Sequence, residues 1–271
     1  MREVGENIKY NETKQELENV KDYFTEIYKE YEDLLKESKH IYRKYCFLFG
    51  EAYYQRYQSY LLCLRLKRKL ELYQTYINRQ EEINYQEAEA ILDKEMFEHF
   101  DKLREILIDY VDASLYFRSK RLSGEETKEL KRIYYKIAKR IHPDITGEFT
   151  EAQKDLWEKT LNAYQHNDLE VMRECEFLLE NLVDVGRSPS TLDAMKAEIN
   201  RFYKEIEGYK LKSQKIINSF PYNQSSLLFD EDYIENELNK LTAENIAYKE
   251  KAEEYLEILE NMMPTSEKEI C

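Results

Sequence analysis

Apolar residues recur at helical spacing along most of the chain. In the first third they alternate at intervals of three and four residues, and the pattern resumes at Ile41. The series is Leu17, Val20, Phe24, Ile27, Tyr31 and Leu34. This heptad spacing gives a helix one continuous apolar seam. The sequence therefore predicts a long-helix, coiled-coil arm over residues 1–94, with a turn in the polar stretch 78–84 and an earlier break left open near Ser38 or Gly50.

The last third has the same spacing in two segments. The first covers residues 192–216 and the second covers residues 234–262, with a polar loop around Pro221 between them. Because each apolar seam needs a partner to bury it, we expect an antiparallel coiled-coil hairpin over residues 186–271. Whether the coiled-coil arms pair within one chain or between two chains is left open, so a homodimer is possible.

The middle of the chain, residues 95–185, has shorter apolar stripes and more turn signals. The chain as a whole contains only 6 glycines and 4 prolines, and 35% of its residues are charged. This composition is typical of long helices with few connections. The expected fold class is all-α, with a small helical hairpin domain inserted between long coiled-coil helices.

One helix of the middle domain has two sharply different faces. Ser123 and Glu126 have the spacing of a capping box, which predicts a helix start at Gly124. At 100° per residue, the apolar residues up to Ile141 fall on one arc and the basic residues on the opposite arc. The apolar arc is Leu130, Ile133, Tyr134, Ile137, Ala138 and Ile141, and the basic arc includes Lys128, Lys131, Arg132, Lys136, Lys139 and Arg140. The basic arc predicts an acidic partner.

The triplet His142-Pro143-Asp144 follows this helix directly. Pro143 excludes the helical region for the residue before it, so the helix should end there. A second helix should begin near Thr150, a suitable N-cap, and carry an aromatic stripe with Trp157 and Tyr164. Packing of the two helices as an antiparallel pair would place the triplet on an exposed loop at the tip.

These residues resemble a known family. The sequence LKRIYYKIAKRIHPD at 130–144 resembles the second helix and the HPD loop of the J-domain, the Hsp70-activating module of DnaJ-type co-chaperones, and LWEKTLNAY at 156–164 resembles its third helix. The resemblance covers roughly residues 103–182. Tyr135 stands where the family has a basic residue, and the long segment 96–117 replaces the short first helix. Neither a Gly/Phe-rich linker nor a cysteine-rich zinc module accompanies it.

The resemblance implies a function and a set of binding residues. It implies that the chain binds an ATP-bound, DnaK-type Hsp70 and promotes ATP hydrolysis and capture of an unidentified client. The implied Hsp70-binding residues are His142, Pro143, Asp144, Lys131, Arg132, Lys136, Lys139 and Arg140. Because Hsp70 performs the chemistry, the chain itself is not expected to be an enzyme. The arms would then bind the client or determine localisation.

Charge and cysteine spacing narrow the remaining classes of function. A net charge of −14 disfavours nucleic acid and anionic membranes as main partners, because both require an excess of Lys and Arg. No apolar run approaches the roughly 20 residues that span a bilayer, so a cytoplasmic location is expected. Cysteines and histidines lack ligand spacing, so neither a metal nor another cofactor is expected. A coiled-coil scaffold whose J-like domain does not bind Hsp70 is the alternative hypothesis.

Overall fold

The computed structural model describes residues 2–119, 121–146, 150–180 and 191–262, with side chains from residue 8 onward. These residues are almost entirely helical, and no strand occurs among them, which confirms the all-α prediction. Within this part of the chain, every helix is too short or too polar to cross a membrane. The predicted boundary between residues 185 and 186 and the C-terminal residues 263–271, including Cys271, lie outside the described residues.

Eight α-helices and one 3₁₀ helix follow one another along the described chain. They are α1 (Arg2–Asn78), α2 (Tyr85–Arg118), α3 (Gly124–Ile141), α4 (Pro143–Thr146), α5 (Glu151–His166), α6 (Leu169–Glu180), α7 (Leu192–Ile217), the 3₁₀ helix (Tyr222–Phe229) and α8 (Glu231–Met262). The turn predicted at 78–84 is present between α1 and α2. The starts of α3 at Gly124 and of α5 after Thr150 also agree with the sequence.

The break that the sequence left open near Ser38 or Gly50 does not occur, because α1 is continuous through both positions. Gly50 has a packing role instead. A Cβ atom added to Gly50 would lie 2.9 Å from the Cβ atom of Tyr110 on α2. The missing side chain therefore lets α1 and α2 approach closely, which explains a glycine inside a helix.

The chain forms two compact units. The first consists of Met1–Lys39 and Lys120–Tyr222, and the second consists of His40–Ser119 and Asn223–Cys271. The predicted domains 1–94, 95–185 and 186–271 divide the chain differently. The beginning of α1 packs in the first unit with the predicted middle domain, whereas α2 belongs to the second unit. The two helices of the predicted C-terminal hairpin also belong to different units, since α7 is part of the first and α8 is part of the second.

The core of the first unit lies around α3. All six residues of its predicted apolar arc are at most 1% exposed, which confirms the arc. They pack in one cluster with residues of α5, α6 and α7 and with the first part of α1. The α1 residues in this cluster are Leu17, Val20, Phe24 and Tyr28. The beginning of the N-terminal heptad seam therefore covers the α3–α5 pair and does not extend a separate coiled-coil arm.

The second unit is built from the rest of α1 with α2 and α8. Arg65 bonds Asp93 at 2.8 Å and Arg43 bonds Asp112 at 3.2 Å, a register that makes α2 antiparallel to α1. Arg56 bonds Glu244 at 2.7 Å, and the rings of Tyr60 and Tyr248 lie 5.2 Å apart, so α8 runs parallel to α1. Ion pairs and aromatic contacts thus fix the register of these three helices.

Candidate functional site

Local sequence determines both ends of α3. At its start, the Ser123 hydroxyl accepts a hydrogen bond from the Glu126 amide at 3.2 Å, and the Glu126 carboxylate accepts one from the Ser123 amide at 2.7 Å. At its end, His142 leaves the helical region with φ −64° and ψ 137°, as expected for a residue before proline. The predicted capping box and the predicted helix stop are both present.

The His142 side chain caps the short helix α4. Its Nδ1 atom accepts a hydrogen bond of 3.0 Å from the Asp144 amide, and its carbonyl oxygen accepts bonds from the amides of Ile145 and Thr146 at 2.9 and 3.0 Å. Pro143 occupies the first helical position, where a backbone N–H would have no partner within the helix, so its absence in proline costs no hydrogen bond. A ring nitrogen that accepts is unprotonated, so the neutral imidazole carries its proton on Nε2.

His142 is buried, with 4% of its surface exposed. Its ring centroid lies 4.1 Å from that of Tyr28, 5.0 Å from that of Trp157 and 5.5 Å from that of Phe24. Burial disfavours the charged imidazole and lowers the pKa of His142 to about 4, although the nearby Asp144 carboxylate acts in the opposite direction. The expectation of an exposed imidazole at the tip of the hairpin is therefore wrong, because α1 and α5 enclose it.

Asp144 is held by two side chains of α7. Tyr209 donates its hydroxyl hydrogen to Asp144 Oδ2 at 3.3 Å, and Arg201 Nη2 donates to the Asp144 carbonyl oxygen at 2.5 Å. Arg201 is in turn bound by Glu198 at 2.6 Å. We call Arg201 and Tyr209 the α7 clasp. Only Pro143 of the triplet is fully exposed.

The predicted basic residues lie on α3 as expected, but they have partners within the first unit. Lys131 bonds Asp33 at 2.9 Å and Lys139 bonds Asp22 at 2.6 Å, both on α1. Towards α6, Arg132 and Lys136 share Glu176 at 3.1 and 2.9 Å, and Arg140 donates to the Leu179 carbonyl oxygen at 3.0 Å. Carboxylates inside the chain thus pair with Lys131, Arg132, Lys136 and Lys139.

These ion pairs differ in kind from the enclosure of the triplet. The side chains of Arg132, Lys136 and Lys139 are 59%, 44% and 64% exposed. Exposed pairs of this kind contribute about 0–1 kcal/mol each. The charges could therefore change partner at little cost, whereas His142 is covered by packed side chains and Asp144, 31% exposed, is held by the α7 clasp.

A network of tyrosines joins α1 to the α3–α5 pair beneath this surface. The hydroxyl groups of Tyr28 and Tyr134 are 3.1 Å apart, the rings of Tyr134 and Tyr164 stack at 4.0 Å, and Tyr164 donates to Asp33 at 2.7 Å. Burial alone would raise the pKa of Asp33, but hydrogen bonds from Tyr135, Lys131 and Tyr164 hold it below its ordinary value. The network ties α1 to the helices that carry the triplet.

Sequence reasoning missed the partners of the triplet. Phe24 and Tyr209 were recognised as members of heptad seams, but nothing in the spacing of a seam specifies what covers it. Nothing in the sequence indicated a role for Arg201, since it lies 57 residues from Asp144.

No group of three or more potential metal ligands occurs within the described ranges. Comparison of the chain with protein-family models, curated proteins and solved structures found no match.

Proposed function

We propose that this chain is a co-chaperone of a DnaK-type Hsp70, and that its Hsp70-binding surface is closed in the conformation described above. The observation that carries the proposal is one juxtaposition. His142, Pro143 and Asp144 directly follow a capped helix with a basic face, and that helix packs against the aromatic helix α5. The sequence resemblance to the J-domain covers these same residues.

The basic face of α3 supports the proposal because its charges are weakly held. Arg132, Lys136 and Lys139 could orient an approaching Hsp70 through complementary charge and exchange their present partners for acidic groups on it. The cost is small, since each exposed pair contributes at most about 1 kcal/mol. These ion pairs therefore do not prevent binding.

The burial of His142 and the hold of the α7 clasp on Asp144 are a larger obstacle. α7 also packs on the rings that enclose His142, since the ring centroid of Tyr209 lies 5.3 Å from that of Tyr28 and the ring centroid of Phe202 lies 5.4 Å from that of Phe24. α7 buries Met195, Ile199, Phe202 and Ile206 in the core of the first unit, and complete burial of such side chains contributes about 1.5–3 kcal/mol each. The open conformation would therefore be rare, and the apparent affinity for Hsp70 falls in proportion to its population. We infer that the chain stimulates Hsp70 weakly until α7 is loosened.

The same enclosure favours a second candidate function. His142 caps α4 and is packed in the core, so its presence has a structural explanation. The sequence alone did not provide that explanation. A coiled-coil scaffold whose J-like hairpin does not bind Hsp70 would need no more than this. The two candidates differ in one outcome, namely whether loosening α7 creates stimulation that depends on Asp144.

The test measures ATP hydrolysis by a purified DnaK-type Hsp70 with the full-length chain. Arg201→Ala with Tyr209→Phe removes the α7 clasp, and adding Ile206→Ala weakens the apolar packing of α7 by roughly 2–5 kcal/mol. Stimulation should increase from parent to clasp variant to triple variant. A matched control, Tyr203→Phe with Lys204→Ala, changes exposed positions on the same helix and should resemble the parent.

Asp144→Asn in the clasp background separates the two candidates. It keeps the amide that bonds His142 Nδ1 and removes only the carboxylate charge. The co-chaperone proposal expects loss of the gained stimulation. Circular dichroism checks that each variant is folded, and absence of stimulation in every folded variant would instead support the scaffold.

A further inference from the structure

α2 has two apolar faces, and the described residues cover only one of them. The inner face buries Leu92, Met96 and Ala113 and approaches α1 closely enough to require Gly50. The outer face carries six large apolar side chains that are 38–65% exposed. They are Phe97, Phe100, Leu107, Ile108, Val111 and Leu115. We call this set the α2 stripe.

The α2 stripe runs along most of the helix and is interrupted at Arg104, whose side chain is 70% exposed. At 100° per residue its members fall within an arc of about 100°, and they extend over about 27 Å of helix at 1.5 Å per residue. Phe97 and Leu115 are 65% and 64% exposed. The exposed apolar area is on the order of 500 Å², a size at which surface patches mark interaction sites. A scattering of single exposed residues would not align in this way.

An acidic row borders one side of the stripe. It consists of Glu98, Asp101, Glu105, Asp109 and Asp112. Asp101 pairs with Arg104 in the same helix, and Asp109 and Asp112 bond Tyr42 and Arg43 on α1. Glu98 and Glu105 are exposed and form no ion pair within the described ranges. The surface thus presents an apolar seam, interrupted at Arg104, beside an acidic row in which only Glu98 and Glu105 lack an ion-pair or hydrogen-bond partner among the described residues.

The charges argue against an antiparallel pair of α2 helices from two copies of this chain. In a two-fold pair the same surface patch serves both subunits, and an antiparallel pair of α2 helices would place equivalent flanks side by side. Matching Phe97 with Leu115 across such a pair brings Asp101 near Asp112 and one Glu105 near its counterpart. Like charges placed together disfavour association.

We propose that the α2 stripe and its acidic row bind an amphipathic helix of another protein, one with an apolar seam and a flank of Lys or Arg. Apolar side chains spaced along one helix face are the means by which helices recognise one another. The acidic row would select the basic flank and reject acidic helices. An interface of one helix pair buries on the order of 1,000 Å² in total, at the low end for specific complexes, so a micromolar dissociation constant is expected.

The test uses a designed 21-residue helical peptide with Leu at the seam positions and Lys on the flanks, labelled for fluorescence anisotropy. The full-length chain should bind it with a micromolar dissociation constant. Phe97→Ser with Ile108→Ser should weaken binding at least tenfold. The matched control is Leu211→Ser with Ile258→Ser, two exposed apolar residues on α7 and α8, which should leave binding unchanged.

A second pair of variants tests the acidic row. Glu98→Lys with Glu105→Lys should weaken binding at least fivefold, whereas Glu250→Lys with Glu257→Lys changes the net charge equally, at the same sequence separation on exposed positions of α8, and should have little effect. The same peptide with Glu in place of Lys should bind at least tenfold more weakly to the parent. Equal effects of test and control variants would overturn the proposal.

Sedimentation velocity on the parent tests whether a second copy of this chain occupies the α2 stripe. A concentration-dependent dimer that Phe97→Ser with Ile108→Ser converts to a monomer would show that a second copy occupies the stripe, and would contradict the proposal. The expected result is no stripe-dependent dimer at micromolar concentration.

Discussion

The outer faces of α3 and α2 teach opposite lessons about amphipathic helices. The outer face of α3 is rich in cations, which predicts an external acidic partner, yet Lys131, Arg132, Lys136 and Lys139 all find carboxylates within the first unit. Most of α2 falls in the segment 95–185 that was expected to form the small middle domain, yet the apolar side chains of its outer face are exposed. The polarity of a helix face specifies the chemistry of its partner, but not whether that partner lies within the chain.

The sequence draws attention to the charges of α3, but the energies of the interactions give apolar packing the larger role. Exposed ion pairs contribute about 0–1 kcal/mol each, whereas each large apolar side chain removed from water contributes about 1.5–3 kcal/mol. The aromatic packing over His142 therefore controls the α3 surface more strongly than its charges do. By the same reasoning, the α2 stripe has more to gain from a partner than the basic face has.

The largest effect on stability is expected when the same change, isoleucine to aspartate, is made on the buried face of α3 and is compared with the exposed stripe of α2. Ile137→Asp places an unpaired charge at a site with 0% exposure on α3 and should cost more than about 5 kcal/mol, enough to unfold the first unit. Ile108→Asp on the 57% exposed α2 stripe should change stability by no more than about 0.5 kcal/mol. Urea unfolding monitored by circular dichroism measures both, and similar losses would refute the contrast.

The next effect concerns pH and tests the enclosure of His142. The pKa of His142 in the folded chain, about 4, lies below its ordinary value of about 6.5. Between these values the unfolded chain binds the proton more readily, so this contribution to stability is complete above pH 6.5 and decreases as the pH falls toward 4. The loss should reach roughly 3 kcal/mol.

Carboxylates titrate in the same range, so a reference variant is needed. Burial raises the pKa of Glu32, whereas hydrogen bonds hold that of Asp33 low, and both are retained in His142→Gln. The parent should lose stability relative to His142→Gln as the pH falls from 6.5 to 4. At pH 7, His142→Gln itself should cost about 1–3 kcal/mol. Parallel curves would contradict the enclosure.

A smaller effect tests whether the inner face of α2 is closely packed. Gly50→Ala should lower the free energy of unfolding by about 1–3 kcal/mol, because the added Cβ atom would lie 2.9 Å from the Cβ atom of Tyr110. Gly208→Ala on α7 has nothing within 4 Å of its added Cβ atom and should stabilise the chain by about 0.5–1 kcal/mol. Thermal unfolding of the two variants gives the comparison, and equal gains would show that α2 is less closely packed than described.

The smallest effect is expected at the exposed ion pair between Lys139 and Asp22. Lys139→Glu, Asp22→Lys and the double exchange form a cycle whose coupling energy should be at most about 1 kcal/mol and should decrease with salt. A coupling of several kcal/mol would mean that charge, rather than apolar packing, holds the α3 surface in place.

Local sequence was sufficient to predict the elements that carry the site. Ser123 and Thr150 cap α3 and α5 through side-chain oxygens, Pro143 ends α3, and the apolar arc of α3 is buried as its spacing indicates. Each of these effects acts within a few residues or along one helix. Such interactions can be deduced from spacing and side-chain chemistry alone.

Long-range partners could not be predicted in the same way. The spacing of Phe24 and Tyr28 is compatible with a coiled-coil partner or with the α3–α5 pair, and only the folded chain selects the second. The segment 96–117 was expected to replace the first helix of the J-like domain, but it belongs to the other unit. A helix with two apolar faces gives no sequence signal for which face is buried.

The central claim is that His142 of the triplet is enclosed, and an NMR titration of its imidazole tests it most directly. Its imidazole resonance is assigned by comparison of the parent with His142→Gln and followed from pH 8 to pH 3.5. An enclosed ring that accepts a hydrogen bond from the Asp144 amide should remain neutral through pH 6 and titrate with a midpoint near 4. A midpoint near the ordinary value of about 6.5 would mean that the ring is open to water, and would contradict the closed surface on which the account rests.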